Sequence, residues 1–361
     1  MSVNVNKNSK QVLNYTFGIG TSNHIEQYIG TKEGYRIFLI DFYFQDKDLS
    51  DKLPIREVDI VKYIDVTHEP KTSGIDALIN EIKAEKNGIL PGVIIGVGGG
   101  STLDTAKAIA NLFTNPGKAE DYQGWDLVKN PGIFKIGVPT ISGTGAESSR
   151  TCVMTNVKSG LKLGMNSDFT IYDQLVLDAT LTESVPNNQY FYTGMDTYIH
   201  CIESLAGSHR NAIGDAFSRE ALQLCREVFL SKDMKSIENR EKLMVASYLG
   251  GCAIANSYVG IIHPFSAGLS VVLGTHHCLA NCITMLAMEE FYPKEHKEFT
   301  EMQTAQNINI PKGIAANLSD EQYLALYNST VIHEKPLNNA LGPDFKKILT
   351  LEKVTSLFKK M

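Results

Sequence analysis

Four side chains in the second half of the sequence have the chemistry of metal ligands. They are Asp196, His200, His263 and His277. Asp196 and His200 are four residues apart, so a helix would place both on one face. One carboxylate with three imidazoles suits a divalent first-row ion such as Fe²⁺ or Zn²⁺ and leaves a position open for a substrate oxygen. Any single one of these histidines could instead be a polar group in helix packing.

A glycine-rich turn in the first half indicates nucleotide binding. The apolar run over residues 91–97 predicts a buried parallel strand. The turn that follows it consists of Gly98, Gly99, Gly100 and Ser101, and a helix should begin there. Such a turn lets backbone N–H groups approach a pyrophosphate without a Cβ in the way. The pattern is not GxGxxG, and the candidate acid, Asp41, precedes the glycines, which argues against an ordinary Rossmann half.

A second segment rich in hydroxyls and glycines follows the predicted strand 134–139. Within it, Thr140 and Thr144 could line the same nucleotide cleft, although a surface turn uses the same residue types. A hairpin with Ser-Gly at its tip is predicted over residues 150–166.

The remaining pattern predicts two domains. Strands are predicted at 35–41, 59–66 and 174–178, and helices at 73–86, 212–230, 240–255 and 345–361. We therefore predict an α/β N-terminal domain, residues 1–180, with a mostly parallel nucleotide-binding sheet. An all-α metal-binding and catalytic domain, residues 181–361, should follow. The basic amphipathic segment 345–361 is predicted as a solvated docking helix.

Charge and composition favour a small-molecule partner. The net charge is −6, from 34 basic and 40 acidic residues, and no basic stripe interleaved with aromatics indicates nucleic acid. No stretch of eighteen apolar residues and no signal-type start is present, so a cytoplasmic location without membrane contact is expected. Six cysteines without CxxC spacing predict reduced, mostly buried thiols. Cys278 could add a soft ligand, or be a small buried hydrophobe.

Taken in order, these motifs resemble the iron-containing alcohol dehydrogenase family over nearly the whole chain. The residues that carry the resemblance are Phe17 to Gly20, the glycine turn with Asp104, the segment from Pro139 to Glu147, Lys162, Asp178 and the four ligand candidates. The resemblance implies a dehydroquinate synthase-like fold and a homo-oligomer, expected to be a dimer. It implies a divalent metal, Fe²⁺ or Zn²⁺, on Asp196, His200, His263 and His277.

The same resemblance implies positions for the cofactor. Asp41 would lie near the adenosine ribose and the turn from Gly98 to Ser101 at the pyrophosphate, with Asp104 beside it. Thr140 and Thr144 would lie along the cofactor, and Lys162 near the nicotinamide ribose. An acid at position 41 would accept ribose hydroxyls and repel a 2′-phosphate, which favours NAD over NADP.

The chain also departs from the family pattern. Many members have a histidine where this chain has Ala267, so a common proton-relay group is absent. His276, which stands where members often have proline, could replace it as a catalytic group or could point to solvent.

Several segments resemble the 3-deoxy-octulosonate 8-oxidase branch of the family. They are residues 147–155, 162–168 and 194–204. The resemblance implies oxidation of the C8 primary alcohol of 3-deoxy-D-manno-octulosonate to an aldehyde, for the synthesis of an 8-amino sugar of lipopolysaccharide. The atypical Arg150 could then pair with the carboxylate of this sugar acid, or could form a surface ion pair.

Two other functions remain open. One is a dehydrogenase of another small alcohol or polyol, or a dehydroquinate synthase-like lyase, on the same scaffold. The other is a nucleotide-binding module with a non-catalytic metal site. The final electron acceptor, whether NAD, NADP or oxygen, is also left open.

Overall fold

The chain divides into two compact units. A computed structural model describes residues 10–361. One unit, here called the α/β unit, comprises Lys10–Ile141 and Ala146–Ser184. The other, the helical unit, includes Ser142–Gly145 and Val185–Met361. The short loop Ser142–Gly145 therefore belongs to the helical unit although α/β sequence surrounds it on both sides.

The α/β unit is built on nine strands. They are β1 Asn14–Phe17, β2 Arg36–Asp41, β3 Ile60–Ile64, β4 Val93–Gly98, β5 Gly124–Trp125, β6 Lys135–Pro139, β7 Thr151–Asn156, β8 Leu161–Asn166 and β9 Gln174–Leu177. Six of them form one sheet in the order β1-β9-β6-β4-β2-β3, in which every pairing is parallel. The other three form a sheet in the order β5-β8-β7, in which β7 and β8 are the predicted hairpin.

Four helices complete this unit: α1 Ile25–Ile29, α2 Asp48–Lys52, α3 Thr72–Glu85 and α4 Gly100–Thr114. Strands β2, β4 and β6 lie in the middle of the sheet, and nearly all their residues are buried. Continuous apolar runs are what a parallel sheet with both faces covered requires. The prediction of a mostly parallel sheet is confirmed.

The helical unit contains ten helices among the described residues. They are α5 Asn187–Ala206, α6 Ala212–Phe229, α7 Ile237–Ser257, α8 Ile262–Leu273, α9 His277–Ala287, α10 Pro293–Ala305, α11 Asp320–Val331, α12 Glu334–Leu341, α13 Phe345–Ile348 and α14 Leu351–Phe358. Nearly every residue of α5 from Tyr190 to Ser204 is buried, so this helix runs through the core. The predicted fold class, an α/β unit followed by a helical one, is confirmed.

The prediction of one solvated helix over 345–361 is wrong. The segment forms α13 and α14, separated at Leu349, and Thr350 caps α14 by accepting from Lys353 N. Leu349, Val354 and Phe358 are fully buried in the helical core. Most of the apolar positions that give the segment its amphipathic pattern are therefore core contacts.

No single helix in the described part of the chain is long and apolar enough to cross a membrane. Helices α7 and α8 reach that length and hydropathy only as a pair joined across a 105° bend, a pattern that buried core helices share.

Candidate metal centre and nucleotide site

Three of the four predicted ligands converge in the helical unit. Ligand atoms of Asp196, His263 and His277 all lie within 4.8 Å of one another. The Nε2 atom of His263 is 3.3 Å from Asp196 Oδ1, and that of His277 is 3.7 Å from Oδ2. His200 joins them through Asp196, since its Nε2 atom lies 3.6 Å from Oδ1.

Three helices supply these side chains. Asp196 and His200 are one turn apart on α5, as their spacing predicts. His263 lies in the first turn of α8, and His277 is the first residue of α9. The rings of His200 and His263 are stacked, with centroids 4.6 Å apart and planes 12° from parallel. The His277 side chain is 25% exposed and Asp196 only 1%, so the cluster opens to solvent at His277.

Burial and charge make this cluster unusual for a structural core. Burial disfavours charge on Asp196, but the imidazoles of His200, His277 and His263 outweigh it and hold the pKa of Asp196 well below its ordinary value. Burial lowers the pKa of His200 to about 4. Burial also disfavours charge on His263, yet Glu203 and Asp196 outweigh it and raise the pKa of His263 to about 9.

The donor set fits a divalent metal. A buried carboxylate surrounded by three imidazole nitrogens is the ligand chemistry of Fe²⁺ and Zn²⁺ sites. Two buried polar atoms beside it, Nδ1 of His200 and Oδ1 of Asn281, have no hydrogen-bond partner among the described residues. A bound ion would balance the charge of the Asp196 carboxylate and could take the Nε2 atoms of the histidines as ligands.

Sequence reasoning missed two polar residues at this cluster. Asn281, one turn after His277, donates through Nδ2 to Asp196 Oδ1 at 2.6 Å and lies 3.3 Å from His277 Nε2. Glu203, one turn after His200, contacts the Nδ1 atom of His263. The signal for both was helical spacing, since each lies three or four residues beyond a predicted ligand on the same helix.

The predicted nucleotide residues meet at the carboxyl ends of parallel strands. Asp41 ends β2, the glycine turn follows β4, and the N–H of Thr140, after β6, donates to Gly98 O at 3.1 Å. A Cβ on Gly98 would lie 2.9 Å from Asp41 Cβ and 2.7 Å from Thr102, so only glycine fits. The acid that precedes the glycines by some 57 positions in sequence is thus their neighbour in space.

Asp41 is already partly held by backbone amides. Its Oδ1 accepts from Tyr43 N at 2.9 Å. Burial raises the pKa of Asp41, and N–H groups of Tyr43 and Gly99 partly offset that rise. The carboxylate therefore faces the glycine turn, where a ribose beside the pyrophosphate would be.

Two further predicted cofactor residues carry contacts within the protein. Asp104, in the first turns of α4, accepts from Val153 N at 2.8 Å and lies 3.7 Å from the buried Lys107 Nζ. Burial raises the pKa of Asp104 to about 6. Lys162, on β8, is paired with Glu69 at 2.6 Å.

The loop Ser142–Gly145 contains Thr144 and is anchored on α7. Ser247 Oγ accepts from the N–H groups of Gly143 and Gly145, at 2.8 and 3.3 Å. A Cβ on Gly143, whose φ is +141°, would overlap the Thr193 carbonyl at 1.8 Å. The conformation around Thr144 therefore depends on both glycines.

The two residues predicted as catalytic have different surroundings. His276 is exposed and precedes α9 as its N-cap residue. Arg150 is buried in the α/β unit, where its guanidinium pairs with Asp168 at 2.9 Å and with Asp126 at 2.5 Å. Arg150 thus forms an intramolecular ion pair, and its role toward substrate stays a prediction.

Comparison with known proteins gives a consistent family assignment. Residues 14–179 match the family described as iron-containing alcohol dehydrogenase, and residues 190–325 match its C-terminal domain. A sulfoacetaldehyde reductase of Bilophila wadsworthia is 35% identical over 238 residues, which cover 65% of this chain and 60% of the relative. An NAD-dependent methanol dehydrogenase of Bacillus methanolicus is 28% identical over 71% of this chain and 68% of the relative.

A solved structure supports the fold. The structure of a sulfoacetaldehyde reductase from Bifidobacterium kashiwanohense in complex with NAD⁺ superposes with a TM-score of 0.75 over 97% of each chain, at 22% identity. The match to the Bilophila relative spans about three fifths of that protein's length. The two family matches together extend over most of the sequence, and the chain belongs to the iron-containing alcohol dehydrogenase family.

Proposed function

We propose that the chain is a metal- and NAD-dependent oxidoreductase that interconverts a primary alcohol and its aldehyde. The observation that carries this proposal is the convergence of Asp196, His263 and His277 within 4.8 Å in the helical unit. The α/β unit supplies the glycine turn and Asp41 at the ends of adjacent parallel strands. A dehydrogenase needs a Lewis-acid site and a hydride acceptor; we propose that the helical unit supplies the first and the α/β unit binds the second.

The protein's own residues have distinct tasks in this reaction. A divalent ion bound there would stabilise negative charge on the substrate oxygen, so that the hydroxyl gives up its proton near neutral pH. Asp196 would supply negative charge to balance such an ion, and Asn281 holds the Asp196 carboxylate in place by donating to Oδ1. Bound NAD⁺ would accept a hydride from the alcohol carbon, and the reaction would balance as aldehyde, NADH and one proton.

The α/β unit would hold the cofactor. Backbone N–H groups from Gly98 to Ser101, at the start of α4, suit the pyrophosphate. The Asp41 carboxylate suits ribose hydroxyls and disfavours a 2′-phosphate, which supports NAD over NADP. Thr140 and Thr144 are proposed to lie along the cofactor, and Lys162 near the nicotinamide ribose.

As the specific substrate we propose 3-deoxy-D-manno-octulosonate, oxidised at its C8 hydroxyl for the synthesis of a lipopolysaccharide 8-amino sugar. Support comes from the resemblance of residues 147–155, 162–168 and 194–204 to that branch of the family. Arg150 is a weaker argument, because Asp126 and Asp168 already pair with its guanidinium. If Arg150 nevertheless recognises the sugar carboxylate, Arg150→Ala should raise KM for the sugar acid and leave KM for NAD unchanged.

A second candidate reaction is the reduction of sulfoacetaldehyde. The 35% identity to the Bilophila sulfoacetaldehyde reductase favours it. Both candidate substrates are small anions with one reacting terminal carbon. The two proposed reactions differ in the size of the substrate and in the direction of hydride transfer.

The test is product formation by metal-loaded protein. With 3-deoxy-D-manno-octulosonate and NAD⁺, we expect aldehyde and NADH in equal amounts, and neither with the Asp196→Ala variant. Aldehyde without NADH would keep the sugar and assign another electron acceptor. No aldehyde from the sugar, together with NADH consumption on adding sulfoacetaldehyde, would replace the first candidate by the second.

A further inference from the structure

Glu203 is a buried carboxylate behind the metal cluster. It lies on α5, seven residues after Asp196 and three after His200, so all three project from the same side of the helix. Its side chain is fully buried. Oε1 accepts from the backbone N–H of Ile262 at 2.5 Å, and Oε2 contacts Nδ1 of His263. Both of these partners belong to the first turn of α8.

A buried carboxylate is costly unless its charge is satisfied. Glu203 has two donors: the first N–H of a helix, where the helix dipole favours an anion, and an imidazole N–H. Gly260 packs closely beside the Glu203 side chain, because a Cβ added there would lie 3.3 Å from Glu203 Cβ and Cγ and 3.0 Å from the Tyr292 hydroxyl. The imidazole that the carboxylate contacts is that of His263.

This contact determines which nitrogen of His263 can bind a metal. A carboxylate accepts hydrogen bonds and cannot donate, so the proton of a neutral His263 resides on Nδ1. The lone pair is then on Nε2, the atom that lies 3.3 Å from Asp196 Oδ1. In metal sites generally, an outer carboxylate of this kind fixes the tautomer and orientation of the ligating ring.

We propose that Glu203 is a positioning residue for the metal centre. It holds the His263 ring with Nδ1 toward its own carboxylate and Nε2 directed at Asp196, and it fixes the start of α8 through Ile262 N. Glu203 itself touches neither the metal nor the substrate. This inference rests on the proposed function, because it assigns Glu203 to the metal site on which that function depends.

The test is metal affinity of the Glu203→Gln variant. An amide has the same shape, but it accepts more weakly and must present its NH₂ group to one of the two donors. Competition with a chromophoric chelator should show Zn²⁺ affinity lowered by about 10- to 100-fold. The visible absorption of the Co²⁺-loaded variant should differ from that of wild type, since one ligand is no longer held in place.

A matched control is Glu298→Gln. Glu298 is a partly buried carboxylate of the same unit that accepts from Arg226 and Tyr198 and touches no residue of the cluster. This variant should lose stability and keep wild-type metal affinity and Co²⁺ absorption. KM for NAD should be unchanged in both variants, because the predicted NAD-binding residues of the α/β unit are not altered.

The outcomes separate this inference from the proposed function. If wild type binds no divalent metal, the proposed function fails. If wild type binds Zn²⁺ and the folded Glu203→Gln variant binds it equally well with the same Co²⁺ absorption, only the role of Glu203 is refuted. If that variant does not fold, ¹⁵N-imidazole spectra of zinc-loaded wild type decide the matter: His263 should carry its proton on Nδ1, and a proton on Nε2 would overturn the proposal.

Discussion

Gly194 lies two residues before Asp196 and sets how closely α5 approaches α6. A Cβ added at Gly194 would lie 2.4 Å from Phe229 Cζ and 3.1 Å from Leu243 Cδ2. Phe229 is fully buried and packs edge-on against Phe191, with centroids 5.2 Å apart, so its ring has no free volume to enter. Gly194→Ala must therefore move the helix that carries Asp196.

The change in the free energy of unfolding follows from two opposing contributions, helix propensity and overpacking. Alanine is favoured over glycine inside a helix by about 1 kcal/mol. Overpacking a filled core costs about 1–3 kcal/mol, so Gly194→Ala should lower the free energy of unfolding by about 1 kcal/mol net. The contact must open by about 1 Å to reach an ordinary van der Waals separation. A shift of about 1 Å in a catalytic group can reduce turnover by about 100-fold.

Urea unfolding followed by circular dichroism at 222 nm measures the free energy of unfolding of each variant. Gly74→Ala on α3 is the matched control, because a Cβ there meets nothing within 4 Å. That variant should be more stable than wild type by up to about 1 kcal/mol. The reasoning is refuted if Gly194→Ala gains stability by the same amount and retains wild-type metal affinity.

Three other predictions concern the loop, a buried acid and the thiols. Ser247→Ala removes the acceptor for the N–H groups of Gly143 and Gly145, so steady-state kinetics should show a higher KM for NAD while metal content by mass spectrometry is unchanged. Burial raises the pKa of Asp104 to about 6, above the value of about 3.9 in an unfolded chain, so the folded state binds the proton more tightly. The contribution of Asp104 to the free energy of unfolding therefore falls as pH rises from about 4 to 6. Urea unfolding followed by fluorescence of the single tryptophan should show this fall in wild type, and Asp104→Asn should lack it. Burial raises the pKa of Cys225 to about 12, and all six cysteines are buried. A chromogenic disulfide reagent at pH 8 should therefore react with the thiols only after unfolding. One fast-reacting thiol in the native protein would contradict this prediction.

Much of the α/β unit could be predicted because its signals are local. The buried strand β4, the glycine turn and α4 are consecutive in sequence, and their apolar and glycine residues identify them directly. The pairing of Asp41 with the turn could not be read from local pattern, because it depends on β2 and β4 being neighbours in the sheet.

In the metal cluster, too, contacts within one helix were predictable and contacts between distant segments were not. Asp196 and His200 were predictable as a pair because four residues separate them on one helix. The contact of Glu203 with His263 joins residues 60 positions apart and requires the start of α8 to lie beside Glu203. The burial of segment 345–361 could not be predicted for a related reason. An apolar stripe indicates that one face of a helix is covered, but it does not indicate which part of the protein covers that face.

The partners of Arg150 could not be predicted from its residue type. Its residue type suggested recognition of a substrate carboxylate, and the structure shows two carboxylates of the protein, Asp126 and Asp168, at its guanidinium. Sequence could not distinguish these possibilities, because Asp126 and Asp168 lie 24 and 18 positions from Arg150 and meet it only in the folded chain.

Metal content of the purified protein tests the central claim most directly. Wild type, His277→Ala and Asp196→Ala should be compared by inductively coupled plasma mass spectrometry, with folding and NAD binding confirmed for each. We predict about one divalent ion per wild-type chain and a large loss in both variants, with NAD binding retained. Equal metal content in all three folded proteins would contradict a catalytic site built on Asp196 and the three histidines.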